Sequence, residues 1–213
     1  DKLPEAWHTV LTAFVLPLRH YEQGAQLILT NANRFGYGTT LTQAAGFAAF
    51  DRIGNAQQLS LIGLALAGGA ADTLGEAKKN WLYAPQQQGL RRMIEQLLVE
   101  RDWAVGLVGL DLLDQSLYPL LYEHLDERAL FRSAGPYSLL AQHFHNWFAG
   151  HRKWLNALYK AWTGDPGHGE ANREVLGEID VDGYFLEYDD PRSGDLRHTS
   201  HHLVFASEWR ITW

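Results

Sequence analysis

The chain of 213 residues contains no cysteine. It therefore has no disulfides, no thiolate metal ligands and no cysteine nucleophile, an absence that is typical of a reducing compartment. Positive charge is also scarce, because 18 lysine and arginine residues stand against 25 acidic ones and leave a net charge of −7. Without a basic stripe to displace counterions, the sequence predicts no nucleic-acid partner.

Long apolar stretches are missing as well. No uninterrupted apolar run approaches the roughly 18 residues that a membrane-spanning helix needs, and no signal peptide opens the chain. We therefore expect a cytoplasmic protein with no membrane partner. Apolar side chains are nevertheless plentiful, at 46% of the chain with 12% aromatic residues, enough for a core and for an interface.

The spacing of these apolar residues predicts a mainly α-helical protein. They recur at intervals of three and four over most of the first 178 residues, which is typical of helices with one buried face. Gly68-Gly69 and Ala84-Pro85 interrupt the pattern where helices are expected to break. The predicted helices cover residues 5–34, 37–68, 72–83, 89–125 and 136–162, followed by a short polar helix at 169–178.

Residues 179–213 have a different character. Two segments rich in aromatic and β-branched residues, 184–188 and 203–213, flank a turn-rich stretch, which predicts a β-hairpin or an irregular tail. We therefore divide the chain into a helical domain, 1–178, and a C-terminal tail, 179–213. Because a lone hairpin is marginally stable in water, we expect the tail to pack on another subunit.

A helical bundle raises the question of a metal site. Di-iron bundles need a Glu from each of two helices and a Glu-x-x-His pair from each of two others. Glu-x-x-His occurs here only as Glu5 and His8, in the fraying first turn. Glu22 lies on a predicted inward face, and we interpret it as a buried carboxylate paired with an Arg or hydrogen-bonded to a Trp or Tyr. His20 is expected in a polar network of this kind.

Other candidate groups show no site pattern. His143 and His145 point in different directions on one helix, and neither acidic pair has a setting that raises a carboxyl pKa for general acid catalysis. We therefore predict no catalytic, cofactor-binding or metal residue in this chain. The groups considered are His143, His145 and His151; His198, His201 and His202; Asp111 with Asp114; Asp189 with Asp190; and Trp147, Trp154 and Trp162, expected in the core.

Several short motifs occur in a specific order along the helices. They are Pro17-Leu18-Arg19-His20, Asp51-Arg52-Ile53-Gly54, Gly89-Leu90-Arg91-Arg92, Arg101-Asp102-Trp103, Tyr118-Pro119-Leu120 and Ala171-Asn172-Arg173-Glu174. In order and separation, residues 17–178 resemble the β subunit of bacterial multicomponent monooxygenase hydroxylases, and most closely the phenol hydroxylase type.

The resemblance implies a ferritin-like, ribonucleotide reductase-like fold in a non-catalytic subunit that holds no iron. A diiron centre is then expected in a catalytic α subunit, with a γ subunit in the same hydroxylase and a regulatory protein and reductase acting on it. The implied activity of the complex is oxygen-dependent hydroxylation of small aromatic compounds of the phenol or toluene type. In this chain the implied ligand positions are filled by Tyr37 and Thr40, ahead of Gln43, and by His151 and Trp154.

Two other functions stay open from the sequence. The first alternative is a helical interaction protein unrelated to oxygenases. The second is a self-standing metal-binding ferritin-like protein. The resemblance also leads us to expect a further segment before residue 1, which is absent, and it offers no counterpart for residues 179–213.

Overall fold

The computed structural model of the chain describes residues 5–66, 72–126 and 135–178, and within these ranges it contains helices and no strand. The α-helices in these ranges are α1 (Glu5–Val10), α2 (Leu18–Phe35), α3 (Thr39–Leu66), α4 (Asp72–Tyr83), α5 (Pro85–Val99), α6 (Trp103–Pro119), α7 (Gly135–Thr163) and α8 (Gly169–Glu178). The predicted hairpin in the tail lies outside the described residues, and the predicted mainly α, ferritin-like fold is confirmed.

The predicted helix over residues 5–34 is interrupted, so that prediction of one continuous element was wrong. A π-helical turn, Leu11–Val15, follows α1, and the amide of Leu16 donates to the carbonyl of Leu11 at 2.8 Å. Pro17 comes next and has no N–H to continue the ladder, so α2 begins as a new helix at Leu18.

The predicted helix over residues 89–125 also divides, into α5, α6 and a π-helical turn, Leu120–His124, that follows α6. α5 begins at Pro85, because proline fits the first turn of a helix, and ends at Val99. Asp102 then caps α6, its Oδ1 accepting a hydrogen bond from the amide of Ala104 at 2.8 Å. The chain therefore starts a new helix where apolar spacing alone indicated continuity.

Four long helices surround the centre of the bundle. α2 packs against α3, α5 and α6, and α7 packs against α3 and α6. The loop between α2 and α3 is short, with Gly38 at a φ of 95°, a conformation that favours glycine. α5 approaches α2 closely at Gly24, where a Cβ would be only 2.7 Å from Ile94 Cγ2. The glycine therefore permits this contact. These contacts place one face each of α2, α3, α6 and α7 around a common core.

One stretch, Trp103–His124, is long and apolar enough to cross a membrane by length and composition alone. Of its apolar window, 67% is buried inside the protein, as in the core helix of a bundle. The described residues otherwise contain no candidate span.

Candidate functional site

The centre of the bundle holds a charged residue, Arg52 of α3, that has no exposed surface. Its Nη1 donates to Glu22 Oε2 of α2 at 3.1 Å, and its Nη2 forms a short contact with Asp114 Oδ2 of α6. Both carboxylates are buried too, with 1% and 0% of their side chains exposed. One guanidinium thus joins three helices in the interior.

Two tyrosines complete the hydrogen bonding of these carboxylates. Tyr118 donates to Glu22 Oε1 at 2.6 Å and accepts from Arg52 Nη1 at 3.1 Å. Tyr21 donates to Asp114 Oδ1 at 2.7 Å. Every oxygen of the two carboxylates therefore has a donor, which offsets the cost of burying their charge. We call these five residues the central cluster.

Helix α7 closes the central cluster with aromatic rings. The guanidinium carbon of Arg52 lies 4.7 Å from the centroid of Trp147 and 5.6 Å from that of Tyr118. Phe148 stacks on Tyr118 with a centroid distance of 4.8 Å. The faces of these rings attract the cation, and they keep water away from it.

The electrostatics of the central cluster follow from burial. Burial raises the pKa of Asp114 to about 6, although the charge of Arg52 opposes the rise. Burial by itself would lower the pKa of Arg52, but Asp114 and Glu22 hold it well above its ordinary value. Burial also raises the pKa values of Tyr21 and Tyr118, which therefore stay neutral hydrogen-bond donors.

His151 of α7 lies beside this cluster. It is 6% exposed and stacks on Trp147 at 4.8 Å, while its Nδ1 accepts a hydrogen bond from Trp154 Nε1 at 3.3 Å. Burial, with the charges of Arg52 and Arg152, lowers its pKa to about 2, so the ring is neutral. A neutral imidazole that accepts at Nδ1 carries its proton on Nε2, and that nitrogen has no partner in the described part of the chain.

The central cluster takes its side chains from different helices, as the metal site of a di-iron bundle does, but its residue types differ. Such bundles take single carboxylates from two helices, which here corresponds to Glu22 of α2 and Asp114 of α6. The pair at spacing i, i+3 that α3 turns toward the centre is Arg52 and Asn55, with a cation and an amide where Glu and His would stand.

On α7, the corresponding pair is Phe148 and His151. The phenyl ring offers no ligand, and the lone pair of the imidazole, on Nδ1, accepts the hydrogen bond from Trp154. Over residues 5–66, 72–126 and 135–178, no group of three or more His, Asp and Glu residues is placed to hold a metal ion. The residues present do not fit a diiron centre.

The structure differs from both expected sets of ligand positions. The second set was expected at His151 and Trp154, whereas the inward pair on α7 is Phe148 and His151. Tyr37 and Thr40 were expected to fill the first pair, but Tyr37 is 86% exposed, precedes α3 and packs edge-on against Trp103 at 6.3 Å. The inward orientation of His151 is confirmed. The pairing of Glu22 with an arginine and a tyrosine is confirmed as well.

Other predicted groups lie apart from the central cluster. His20 stacks on Trp81 at 6.1 Å and lines a surface groove, apart from the network around Glu22. His145 pairs with Glu123 at 3.0 Å on the surface. The tail groups, His198 to His202 and Asp189 with Asp190, lie outside the described residues.

Asp111 and Asp114 do not act as one acidic pair. Asp111 belongs to a second network, where it accepts from Tyr159 at 3.0 Å and contacts Arg152. The expectation that neither acidic pair has a raised carboxyl pKa was wrong for Asp114. The reason is its complete burial beside Glu22, which sequence spacing does not reveal.

Sequence reasoning did not identify Arg52 as a site residue. It appeared only within a motif, although its spacing held the signal, because it falls in register with buried residues of α3 such as Ala45, Ala48 and Leu59. A cation on an otherwise apolar buried stripe requires a buried anion, and Glu22 was the predicted inward carboxylate.

A second feature is apolar and faces outward. Phe47 and Phe50 of α3 are each 71% exposed and Leu61 is 58% exposed, and we call these three residues the α3 outer face. Leu61 also lines an open groove of about 730 Å³ that contains Arg19 and Lys78. Clustered exposed apolar and aromatic side chains are typical of protein interfaces.

Fold and centre together define a ferritin-like bundle with a buried ion-pair cluster at its centre. The chain belongs to the methane/phenol/alkene hydroxylase family, whose sequence profile matches residues 1–166. This membership excludes the helical interaction protein unrelated to oxygenases.

The relatives of this chain within the family include components of two types of monooxygenase. The chain is 36% identical, over 165 residues, to the phenol 2-monooxygenase oxygenase component MhpL of Acinetobacter pittii (strain PHEA-2), covering 77% of this chain and 49% of the relative. It is 26% identical, over 183 residues, to the small subunit of the propane 2-monooxygenase hydroxylase component of Mycolicibacterium goodii, covering 82% of this chain and 50% of the relative.

A solved structure of a phenol hydroxylase is also similar to this chain. Phenol hydroxylase from Pseudomonas sp. OX1 superposes with a TM-score of 0.77 at 32% identity, covering 82% of this chain and 53% of that one. The chain thus spans about half the length of the relatives it matches.

Proposed function

We propose that this chain is the non-catalytic, structural β-type subunit of the hydroxylase component of an oxygen-dependent diiron monooxygenase. The observation that carries the proposal is the central cluster: a guanidinium holds two carboxylates at the centre of a bundle whose catalytic counterparts use inward carboxylates to hold metal. A bundle filled in this way offers no open coordination position for oxygen, so the chemistry belongs to a partner.

The proposed partners are a catalytic α subunit that holds the diiron centre and a γ subunit, with a regulatory protein and a reductase acting on the complex. The α3 outer face supports a protein partner, because Phe47 and Phe50 expose most of their ring surface to water. An α subunit of the same fold would cover them by helix packing. A cytoplasmic location forms part of the proposal, since no cysteine is present.

The proposed substrate class of the complex is small aromatic compounds of the phenol or toluene type. Its support is the higher identity to a phenol 2-monooxygenase component, 36%, than to a propane 2-monooxygenase small subunit, 26%. Propane-type substrates are the alternative, and oxygen uptake by the assembled complex with phenol or propane separates the two.

The test is co-expression of this chain with the large and γ-type subunits of its own host, followed by purification through a tag on this chain. We expect a stable complex that contains iron, while this chain purified alone contains none. Glu22→Gln should leave the iron content of the complex unchanged. Iron bound by this chain alone, or iron lost from the complex with Glu22→Gln, would instead support the self-standing metal-binding alternative.

A further inference from the structure

The central cluster has the layout of a metal site with one cation already present. α2 and α6 contribute Glu22 and Asp114, and between them α3 contributes Arg52, followed at i+3 by Asn55. The carboxylates converge from different helices on a single positive group that has no access to water. Two buried carboxylates repel each other, so this arrangement requires a cation between them.

We infer that Arg52 is the fixed cation that stands in place of a divalent metal in this bundle. It neutralises the carboxylates permanently, so the bundle folds without metal and its centre stays closed to metal. The inference goes with the proposed function, because a non-catalytic subunit needs the bundle without its chemistry. It is nevertheless tested on this chain alone.

The hydrogen bonding of Arg52 supports a role for its charge. Only Nη1 and Nη2 have partners, while Nε is buried without one. If hydrogen bonding alone explained the buried guanidinium, all three of its nitrogens would be expected to have partners. The rings of Trp147 and Tyr118, at 4.7 and 5.6 Å, also attract a cation whatever its hydrogen bonds.

The surroundings explain why the native cluster has no room for a metal ligand set. Asn55 donates from its amide toward Tyr118 at 3.5 Å, and His151 is held by Trp154 in the tautomer with its proton on Nε2. Restoring ligands therefore means changing α3 alone. Arg52→Glu with Asn55→His recreates Glu-x-x-His on the inward face, opposite Glu22 and Asp114.

The experiment compares the wild-type chain with the double variant Arg52→Glu/Asn55→His, using Co²⁺ as the probe. Equilibrium dialysis measures the Co²⁺ bound, and visible absorption reports its coordination by protein ligands. We expect the wild type to bind no Co²⁺ above background. We expect the double variant to bind about one Co²⁺ per chain and to unfold at a higher temperature with Co²⁺ than without it.

The matched control is the same double variant carrying Asp114→Asn, which removes one ligand and leaves the surface histidines unchanged. It should lose most of the bound Co²⁺. Equal Co²⁺ binding by the control, or a folded double variant that binds none, would overturn the inference.

A second variant keeps the test decisive if the double variant does not fold. Arg52→Met removes the cation and adds no ligand, so its melting temperature relative to that of the wild type should rise when the pH falls from about 7.5 to about 5.5, as Asp114 takes up a proton beside Glu22. The loss of stability from His151 over this range occurs in both proteins and cancels in the comparison. Arg52→Lys keeps the charge and should need no such rescue. The inference fails if Arg52→Met melts like the wild type at pH 7.5. Co-purification with the large subunit tests the proposed function separately, because it depends on the α3 outer face.

Discussion

Helix α3 presents two faces that reverse the usual distribution of side chains. Its inner face buries Arg52 completely, while its outer face leaves Phe47 and Phe50 71% exposed. The inner face is stable because two carboxylates from other helices meet the guanidinium. The outer face has no such cover within the described chain. Which face of this helix is buried therefore depends on the groups that meet it from other helices, and not on its hydropathy alone.

The largest expected effect concerns the inner face. Arg52→Met should lower the free energy of unfolding by about 3–5 kcal/mol at neutral pH, since it leaves two buried carboxylates without a counter-ion. Chemical denaturation with circular dichroism measures the change. Adding Glu22→Gln and Asp114→Asn to Arg52→Met should recover most of it, because the like charges are then gone. A triple variant as unstable as the single one would show that packing around the guanidinium, and not charge, dominates.

Substitutions on the α3 outer face should affect assembly and leave the stability of the chain nearly unchanged. Phe47→Ser with Phe50→Ser should change the stability of the isolated chain by less than about 0.5 kcal/mol, because exposed side chains contribute little to folding. The same variant should weaken assembly with the large subunit by about 2 kcal/mol, or roughly 30-fold in affinity. Surface plasmon resonance gives the affinity. Leu139→Ser, on the exposed surface of α7, serves as a matched control that should not change it.

His151 gives the centre a pH dependence. Its folded pKa, about 2, lies below its ordinary value of 6.5, so its stabilising contribution is present above pH 6.5 and is lost as the pH falls below it. Between pH 7.5 and pH 5 this loss should be about 2 kcal/mol. Asp114 acts in the opposite direction, because its folded pKa is raised and its contribution is lost as the pH rises through about 6.

Comparison with His151→Gln isolates the histidine. Glutamine keeps an acceptor for Trp154 but does not titrate, so wild type and variant should differ more at pH 7.5 than at pH 5. Urea unfolding at the two pH values measures this difference. An equal difference at both would mean that His151 takes up its proton as readily in the folded protein as in the unfolded one, which contradicts the lowered pKa.

The smallest effect is expected for a surface ion pair. Arg91 and Glu95 of α5 are 2.7 Å apart, but their side chains are 27% and 55% exposed. Glu95→Gln should cost less than about 0.5 kcal/mol, and added salt should reduce that further. If Glu95→Gln lowered the free energy of unfolding by nearly as much as Arg52→Met, buried and exposed ion pairs would not differ in this protein. The first prediction depends on that difference.

The sequence alone determined most of the helices and the absence of a complete ligand set. α4 and α8 have the predicted limits, because Pro85 and the turn at Asp165-Pro166-Gly167 are local signals that act within a few residues. The split of residues 89–125 was missed because an apolar spacing continued across it, while the cap at Asp102 is one side-chain hydrogen bond.

The central cluster was decided by the tertiary structure. Glu22 was predicted to face inward and to find an arginine or a tyrosine, but the sequence did not say which. Arg52 meets Asp114 across 62 residues of chain, and Tyr118 meets Glu22 across 96. Spacing along one helix shows which face a residue occupies and carries no information about the helix opposite. Only the packing of α2, α3 and α6 brings one cation between two anions, because burial makes any other arrangement of these charges too costly.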